Sequence, residues 1–355
     1  MRRENNQKVL IVLLGALGDV TRGLSMAVRI KEAWPECHLS WAVEPKSRDM
    51  VEALGCVDKV FVFDRPRGFK AYLSFIKELR QEKFDLVLDM QRHFKSGVTS
   101  WSTKAKRRIG FNRKNAKEFN WLFNTEYISA VDNFSAKIEH YHLFGDLLNL
   151  PRGESHNFGL QASAKEIGKI KNLVASSGCS VDSNGRVFVG LILGSTWPSR
   201  FWYASHYREL IAELSQKHKV TFLLLGGPSE AEFAEDVEQG FDNDLVVNLV
   251  GKTSVRDLIS VFSISTIAIG SDSGPMHIAA AMKIPVISLW GSTSPLRSAP
   301  YGSEDLVLQS PVACAGCYKK ICPGLATLCM SEIPSKAVSS IASAKIAAET
   351  ENITL

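Results

Sequence analysis

No apolar run in this chain of 355 residues approaches the roughly 20 residues that cross a bilayer as a helix, which excludes a membrane-spanning reading. The opening residues, Met1-Arg-Arg-Glu-Asn-Asn-Gln-Lys8, are polar and run into a strand, with no signal-peptide hydrophobic region or cleavage site, so a cytoplasmic location is expected. A Walker loop, in which Gly-Lys-Ser/Thr follows a four-residue gap, is missing. The dinucleotide fingerprint is incomplete: Gly15-Ala-Leu-Gly-Asp-Val20 lacks its third glycine, and no acidic residue closes a second strand about 20 residues on. The second absence argues against a nicotinamide reading. No Ser/His/Asp triad stands out. Cysteine is sparse at seven residues, four of them crowded between Cys314 and Cys329, which in a cytoplasmic chain points away from a disulfide framework.

What is present fits a globular chain of two domains: the length exceeds one ordinary core, and a hydrophobic fraction of 45% leaves little room for extended disorder. Net charge is +5 but unevenly shared, residues 1–154 holding 26 Lys/Arg against 19 Asp/Glu. The densest basic stretch is Lys104, Lys106, Arg107, Arg108, Arg113, Lys114 and Lys117. Such a stretch suits nucleic acid, an anionic membrane surface or an anionic substrate, and equally a solvated loop.

Apolar strands alternate with helical patterns twice along the chain. Lys8–Leu14 leads into the turn Gly15–Val20 and a helix to Trp34, and strands follow at 39–43, 59–63 and 86–88. A polar loop dotted with aromatics occupies 112–124, and a helix 140–150. Pro, Gly, Ser and Asn cluster over 151–185 around one helix, 164–176, so the domain boundary is expected there. The alternation then begins afresh at Val187. The expected fold is α/β, with two doubly wound sheets whose ligands gather at the carboxyl ends of the strands and whose facing edges form a cleft. A last helix is expected over 335–351.

The most informative stretch is Gly270-Ser-Asp-Ser-Gly-Pro-Met-His277, a turn between the β-branched run Thr266–Ile269 and the helix former Ile278–Met282. Its glycines let backbone approach a ligand, its hydroxyls add donors, and the helix start aims free N–H groups at the same spot, as a phosphate requires. The alternative is a capped helix after an ordinary turn. Other strand-end turns carry weaker signals. Ser195, Thr196 and Arg200 suit a diphosphate, and Glu230 suits ribose hydroxyls. The amides of Gly251-Lys252-Thr253-Ser254 and the Thr253 hydroxyl suit a base pocket, and Ser254 equally suits a helix cap. Asp19, at the mouth of the first sheet, suits a general base or a helix cap. Cys314, Cys317, Cys322 and Cys329 have gaps compatible with a structural Zn or Fe site, with disulfides, or with free thiols.

Taken together, Gly18-Asp-Val20, Asp85–Gln91, Arg108-Ile-Gly-Phe111, Gly226-Gly-Pro228, Gly251-Lys-Thr253, Gly270–His277, Pro285-Val286 and Gly291–Pro295 resemble the ADP-heptose:lipopolysaccharide heptosyltransferase family, of two-Rossmann (GT-B) architecture, over nearly the whole chain. The resemblance implies an inverting transfer of heptose from ADP-heptose to the inner core of lipopolysaccharide, with Asp19 as base. It implies donor contacts from Ser195, Thr196, Arg200, Asp272, Ser273, Gly274 and His277, to which the strand-end turns add Glu230, Lys252 and Thr253. Arg200 stands where the family usually has lysine. It implies an acceptor domain over 1–165 whose Lys104, Lys106, Arg107 and Arg108 meet the anionic core, a donor domain over 166–334 with a cysteine-rich loop 311–330, and a helix 335–355. No cofactor for the chemistry and no nucleic-acid partner are implied, and contact with the inner face of the cytoplasmic membrane is. After Val20 the chain reads Thr21-Arg22-Gly23-Leu24-Ser25 where the family continues to a proline, which touches acceptor recognition most.

Overall fold

The computed structural model describes residues 6–181, 185–324 and 326–354. The polar residues 1–5, positions 182–184 of the expected boundary, position 325 of the cysteine-rich loop and residue 355 lie outside the described residues. The chain divides into two units, Met1–Leu160 and Gln161–Leu355.

In the first unit the strands are β1 (Lys8–Val12), β2 (His38–Val43), β3 (Lys59–Val62), β4 (Leu86–Asp89), β5 (Arg107–Gly110) and β6 (Glu126–Tyr127). They form one sheet in the order β3-β2-β1-β4-β5-β6, and every pairing is parallel. The helices are α1 (Leu17–Ala33), α2 (Arg48–Glu52), α3 (Gly68–Gln81), α4 (Phe94–Ser102) and α5 (Lys137–Leu147). Continuous apolar strands such as Lys8-Val-Leu-Ile-Val12 are buried on both faces, the pattern a parallel sheet covered by helices demands. Helix α3 shows how each helix docks: Phe75, Ile76 and Leu79 recur at helical spacing and are buried, while Phe63 and Phe84 pack from the sheet side.

The second unit repeats the plan. After α6 (Ala164–Ser176), which opens with a capping box between Ser163 and Glu166, come β7 (Val187–Ile192), α7 (Ala204–Lys217), β8 (Val220–Leu225), α8 (Ala231–Glu238), β9 (Val246–Asn248), α9 (Val255–Ile264), β10 (Ile267–Ser271), α10 (Gly274–Ala281), β11 (Val286–Trp290), β12 (Val307–Gln309), α11 (Leu328–Ser331) and α12 (Ser335–Thr354). The sheet order is β12-β11-β10-β7-β8-β9, again wholly parallel. Counted from its own first strand this is the same order as in the first unit, though the sequences show no repeat. Val338, Ala342 and Ile346 of α12 pack into the core with Leu210 and Leu214 of α7.

Five elements escape the sequence expectation: α4, β5, β6, β12 and α11. Because every strand in a unit runs the same way, all its strand-end turns emerge on one edge of the sheet, and that edge carries the site. Among the described residues no helix is long and apolar enough to cross a membrane.

Candidate active site

The second unit collects its polar groups around Asp272, which follows β10. The close approach that puts it there depends on Gly270. A Cβ at that position would stand 2.7 Å from the Ile192 Cβ and 2.8 Å from the Ile192 carbonyl oxygen on neighbouring β7, so only glycine lets the strands lie so close. Ser195, just beyond β7, donates through Oγ to the Asp272 carbonyl at 2.9 Å. Arg200 Nη1 lies 3.2 Å from both the Asp272 carbonyl oxygen and the Asp272 Oδ2. Its guanidinium sits over the Trp197 ring, 4.1 Å from the centroid. Thr293, beyond β11, donates to the same Oδ2 at 2.8 Å. Three strand ends therefore converge on one carboxylate.

Around that hub lie buried polar atoms with no partner among the described groups: the Ser271 and Ser273 hydroxyls and Arg200 Nε. Leaving such groups unpaired costs free energy that an anion recovers. Helix α10 starts at Gly274 with Pro275 in its first turn and Ser273 as cap, so its free N–H groups and positive dipole end point the same way. His277 is buried in the first turn of α10. The arrangement suits a diphosphate: a cation, two hydroxyls and a helix start beside a fixed carboxylate.

Glu230 lies on the same edge. Its Oε2 accepts the Gly227 N–H at 2.7 Å, and a Cβ on Gly194 would stand 2.9 Å from that oxygen, so the carboxylate bridges the ends of β7 and β8. Gly251, in the left-handed region at φ 71, turns the chain after β9, and its N–H donates to the Gly226 carbonyl at 3.0 Å. Lys252 is exposed and spends its ammonium on the Asn248 carbonyl at 2.8 Å. Thr196 is exposed beside Ser195, and Thr253 is half-buried beyond Lys252.

In the first unit, Asp19 is the third residue of α1 and caps nothing. Its Oδ1 receives Arg22 Nη2 at 2.5 Å and Lys137 Nζ, from α5, at 2.5 Å. Burial alone would raise its carboxyl pKa, but Lys137 and Arg22 outweigh that and hold it far below the usual carboxylate range. The turn before it is fixed from β4: Gln91 Oε1 accepts the Gly15 N–H at 2.8 Å. Asp19 is thus a permanently ionised carboxylate at the carboxyl edge of the sheet.

Lys104, Lys106, Arg107 and Arg108 do not join it. They precede or begin β5, and Arg107 pairs in register with Leu86 at the start of β4, so they occupy the amino edge of the parallel sheet. Arg107 is bound by Glu126 at 2.8 and 3.0 Å, and Arg108 donates to the Phe123 and Ala105 carbonyls.

No group of three or more His, Cys, Asp or Glu side chains among the described residues is placed to hold a metal ion, and all seven cysteines are free thiols. Cys314 and Cys317 are exposed, whereas α11 carries Cys329 into the core, where a Cβ on Gly291 would stand 2.8 Å from its Sγ. Burial pushes the Cys329 thiol pKa up, and the neighbouring Cys314, Cys317 and Cys322 push it the same way. Among the described residues the structure therefore lends the Zn or Fe reading no support.

Thr293, Gln91, Arg22 and Lys137 carry geometry that the sequence left without roles. Thr293 and Gln91 at least fall in strand-end segments, Gly291–Pro295 and Asp85–Gln91. Lys137 has no local signal, since only the packing of α5 against α1 brings it across 118 positions to Asp19.

The family model described as "Glycosyltransferase family 9 (heptosyltransferase)" matches residues 72–326. The lipopolysaccharide core heptosyltransferase OpsX of Haemophilus influenzae is 28% identical over 308 residues, covering 86% of this chain and 85% of that protein. Among solved structures, a glycosyl transferase family 9 protein from Veillonella parvula superposes with a TM-score of 0.79 at 20% identity, over 96% of this chain and 97% of the other. The E. coli heptosyltransferase WaaC with ADP superposes with a TM-score of 0.76 at 22% identity, over 95% of this chain and 99% of the other.

Proposed function

Because the chain belongs to glycosyltransferase family 9, the heptosyltransferases, we propose that it transfers heptose from ADP-heptose to the inner core of lipopolysaccharide with inversion at the anomeric carbon. The observation that carries this reading is the convergence of Ser195, Arg200 and Thr293 on Asp272 beside the start of α10. OpsX is described as acting on lipopolysaccharide core, and WaaC is seen with ADP, which supports the choice of acceptor and nucleotide.

The reaction is a single displacement. An acceptor hydroxyl oxygen bonds to the anomeric carbon, its proton passes to Asp19, and the bond from that carbon to the β-phosphate oxygen breaks with its electron pair leaving on ADP. Negative charge grows on the diphosphate as the bond breaks. In this reading Arg200, the Ser271 and Ser273 hydroxyls and the α10 N–H groups take it, so charge stabilisation comes from groups fixed before reaction. Glu230 binds ribose hydroxyls in this reading, and Thr196, Lys252 and Thr253 line the outer donor pocket. His277 and Gly274 flank the diphosphate and sugar.

Arg22 and Lys137 serve twice. They keep Asp19 ionised, and they are the cations beside which an acidic acceptor sugar or phosphate would settle. An anion arriving there competes with Asp19 for both cations, which frees the carboxylate and raises its proton affinity as acceptor binds. The acceptor is lipid-borne, so the enzyme works at the cytoplasmic face of the inner membrane.

The test is direct. Purified protein is given ADP-heptose and a Kdo- or heptose-terminated lipid A acceptor, ADP release is followed, and the product linkage is determined. Acceptor-dependent release with an inverted linkage is expected. Release that ignores the acceptor, or faster turnover with GDP- or UDP-sugars, would overturn the assignment.

A further inference from the structure

Outside the site, one face of the first unit exposes large apolar side chains in a pattern that the transfer reaction leaves unused. Helices α3 and α4 lie side by side, tied at their ends by Arg80 Nε donating to the Ser102 carbonyl at 2.9 Å. Their inner faces fill the core. Their outer faces present Phe69 (71% exposed) and Leu73 (51%) from α3, and Phe94 (51%) and Trp101 (55%) from α4. Phe94 and Trp101 are seven residues apart and share one helical stripe. The segment after β5 packs along α4, Asn120 and Phe123 resting on Gly97, and adds Phe119 (70%) and Leu122 (59%).

Two features show that this exposure is built in. Glu118 and Phe119 are consecutive non-glycine residues in the left-handed region, at φ 50 and 57. Such backbone costs energy, and here it turns Phe119 out to solvent. The conformation is held by Glu118, whose Oε2 accepts the Phe94 N–H at 3.1 Å and whose Oε1 lies 3.2 Å from His93 Nδ1.

Charge identifies the occupant. Residues 91–125 contain nine Lys/Arg and one carboxylate, Glu118, which is already engaged at the start of α4. Exposed Lys104, Arg113, Lys114 and Lys117 flank the apolar side chains. Aromatic and aliphatic side chains ringed by cations match an anionic bilayer surface, where the rings enter the headgroup layer and the ammonium groups stay with lipid phosphates. A second copy meeting the same face across a twofold axis would bring these cations against their own kind.

We propose that the α3/α4 face, with Phe94, Trp101, Phe119 and Leu122 as its apolar contacts, docks the protein on anionic phospholipid membranes. The proposal takes its setting from the reading of a lipid-borne acceptor, but its test stands apart from transfer activity. It also gives Lys104, before β5, and Arg113, Lys114 and Lys117, after it, a role outside the transfer chemistry.

The full chain is sedimented with vesicles of phosphatidylcholine alone and of equal parts phosphatidylcholine and phosphatidylglycerol. Wild type should pellet with the anionic vesicles, stay soluble with the neutral ones, and be released by salt. The Phe119→Ser/Leu122→Ser double variant should lose at least about tenfold in partitioning, and Lys114→Gln/Lys117→Gln roughly fivefold per lysine. Melting temperatures should match wild type, which confirms folding. Wild type failing to bind anionic vesicles overturns the proposal, as do variants that bind like wild type, or a wild-type dimer that Phe119→Ser/Leu122→Ser dissociates while vesicle binding is unchanged. With a de-acylated, water-soluble acceptor, all these variants should release ADP at the wild-type rate. Vesicle binding without any ADP release would defeat the transferase reading and leave the docking face standing.

Discussion

Lys137 Nζ lies 2.5 Å from Asp19 Oδ1, joining a helix late in the first unit to the first turn of its first helix. The carboxylate proposed to accept a proton is therefore one whose proton affinity the protein has suppressed. A base kept ionised at every working pH is always ready, and weak until its cations are drawn off. Replacing Asp19 with Ala or Asn should lower kcat by about 10²- to 10⁴-fold. Donor affinity, read by calorimetry with ADP-heptose, should be unchanged. Normal turnover in either variant would remove Asp19 from the chemistry.

Lys137→Met separates the two duties of the clamp. With one cation gone, the Asp19 pKa moves up toward the ordinary carboxylate value of about 4. The acid limb of kcat/KM should appear at correspondingly higher pH than in wild type, and KM for an anionic acceptor should rise. A profile that does not move would mean that Lys137 is only structural.

Thr293→Val removes the hydroxyl that holds Asp272 Oδ2 and keeps the side-chain shape nearly intact. A hydrogen bond to a charged group is worth about 1.5–3 kcal/mol, so a loss of roughly ten- to a hundredfold in kcat/KM is expected. Asp19 is unaffected by this change, and the pH profile should keep its wild-type shape.

Gly270→Ala tests the strand approach that sets the donor side. The added methyl would meet the Ile192 carbonyl and Cβ, backbone and branch point rather than a yielding chain end. Overpacking of this kind costs about 1–3 kcal/mol, and a lower denaturant midpoint with an unchanged m-value is the expected result.

Stability should also report on the first unit through pH. His142, on α5, is buried against α1, with Nε2 2.9 Å from Ser25 Oγ and its ring stacked 4.0 Å from that of His156. Burial, with the charges of His156 and Arg29, pushes its pKa down from 6.5 to about 3. Between those values the unfolded chain binds a proton that the folded one refuses, so stability is full above pH 6.5 and falls as pH drops from 6.5 toward 3. The slope from this one group is at most about 1.4 kcal/mol per pH unit. Melting temperatures of His142→Asn should show a flatter decline across that window.

The long apolar strands and the strand-end turns were legible because parallel strands buried on both faces leave continuous runs such as Val187–Ile192. Helix α4 was not legible. Its sequence, Phe-Lys-Ser-Gly-Val-Thr-Ser-Trp-Ser, is poor in helix formers. It stays helical through packing against its neighbours, with Ser96, Thr99 and Ser102 turning their hydroxyls back onto the His93, Lys95 and Thr99 carbonyls. Strands β5, β6 and β12 have four, two and three residues, too short for a period to register. The donor site could be read in part because its residues sit in local turns. The Arg22–Asp19–Lys137 cluster could not, since its decisive contact is made by packing between helices. For the cysteines, spacing along the chain says nothing of whether α11 will carry one thiol into the core.

The packing of α12 against α7 bears on how the protein is made. In the first unit the last structural pieces, β6 and α5, end by Leu147, so that half can close while the rest is still being synthesised. The second half cannot finish so early. Leu210 and Leu214 wait for Val338, Ala342 and Ile346, which leave the ribosome more than a hundred residues later. During that interval the nascent chain carries an uncovered apolar helix face, and a message cut short before those codons would yield a product that chaperones and proteases meet in that exposed state.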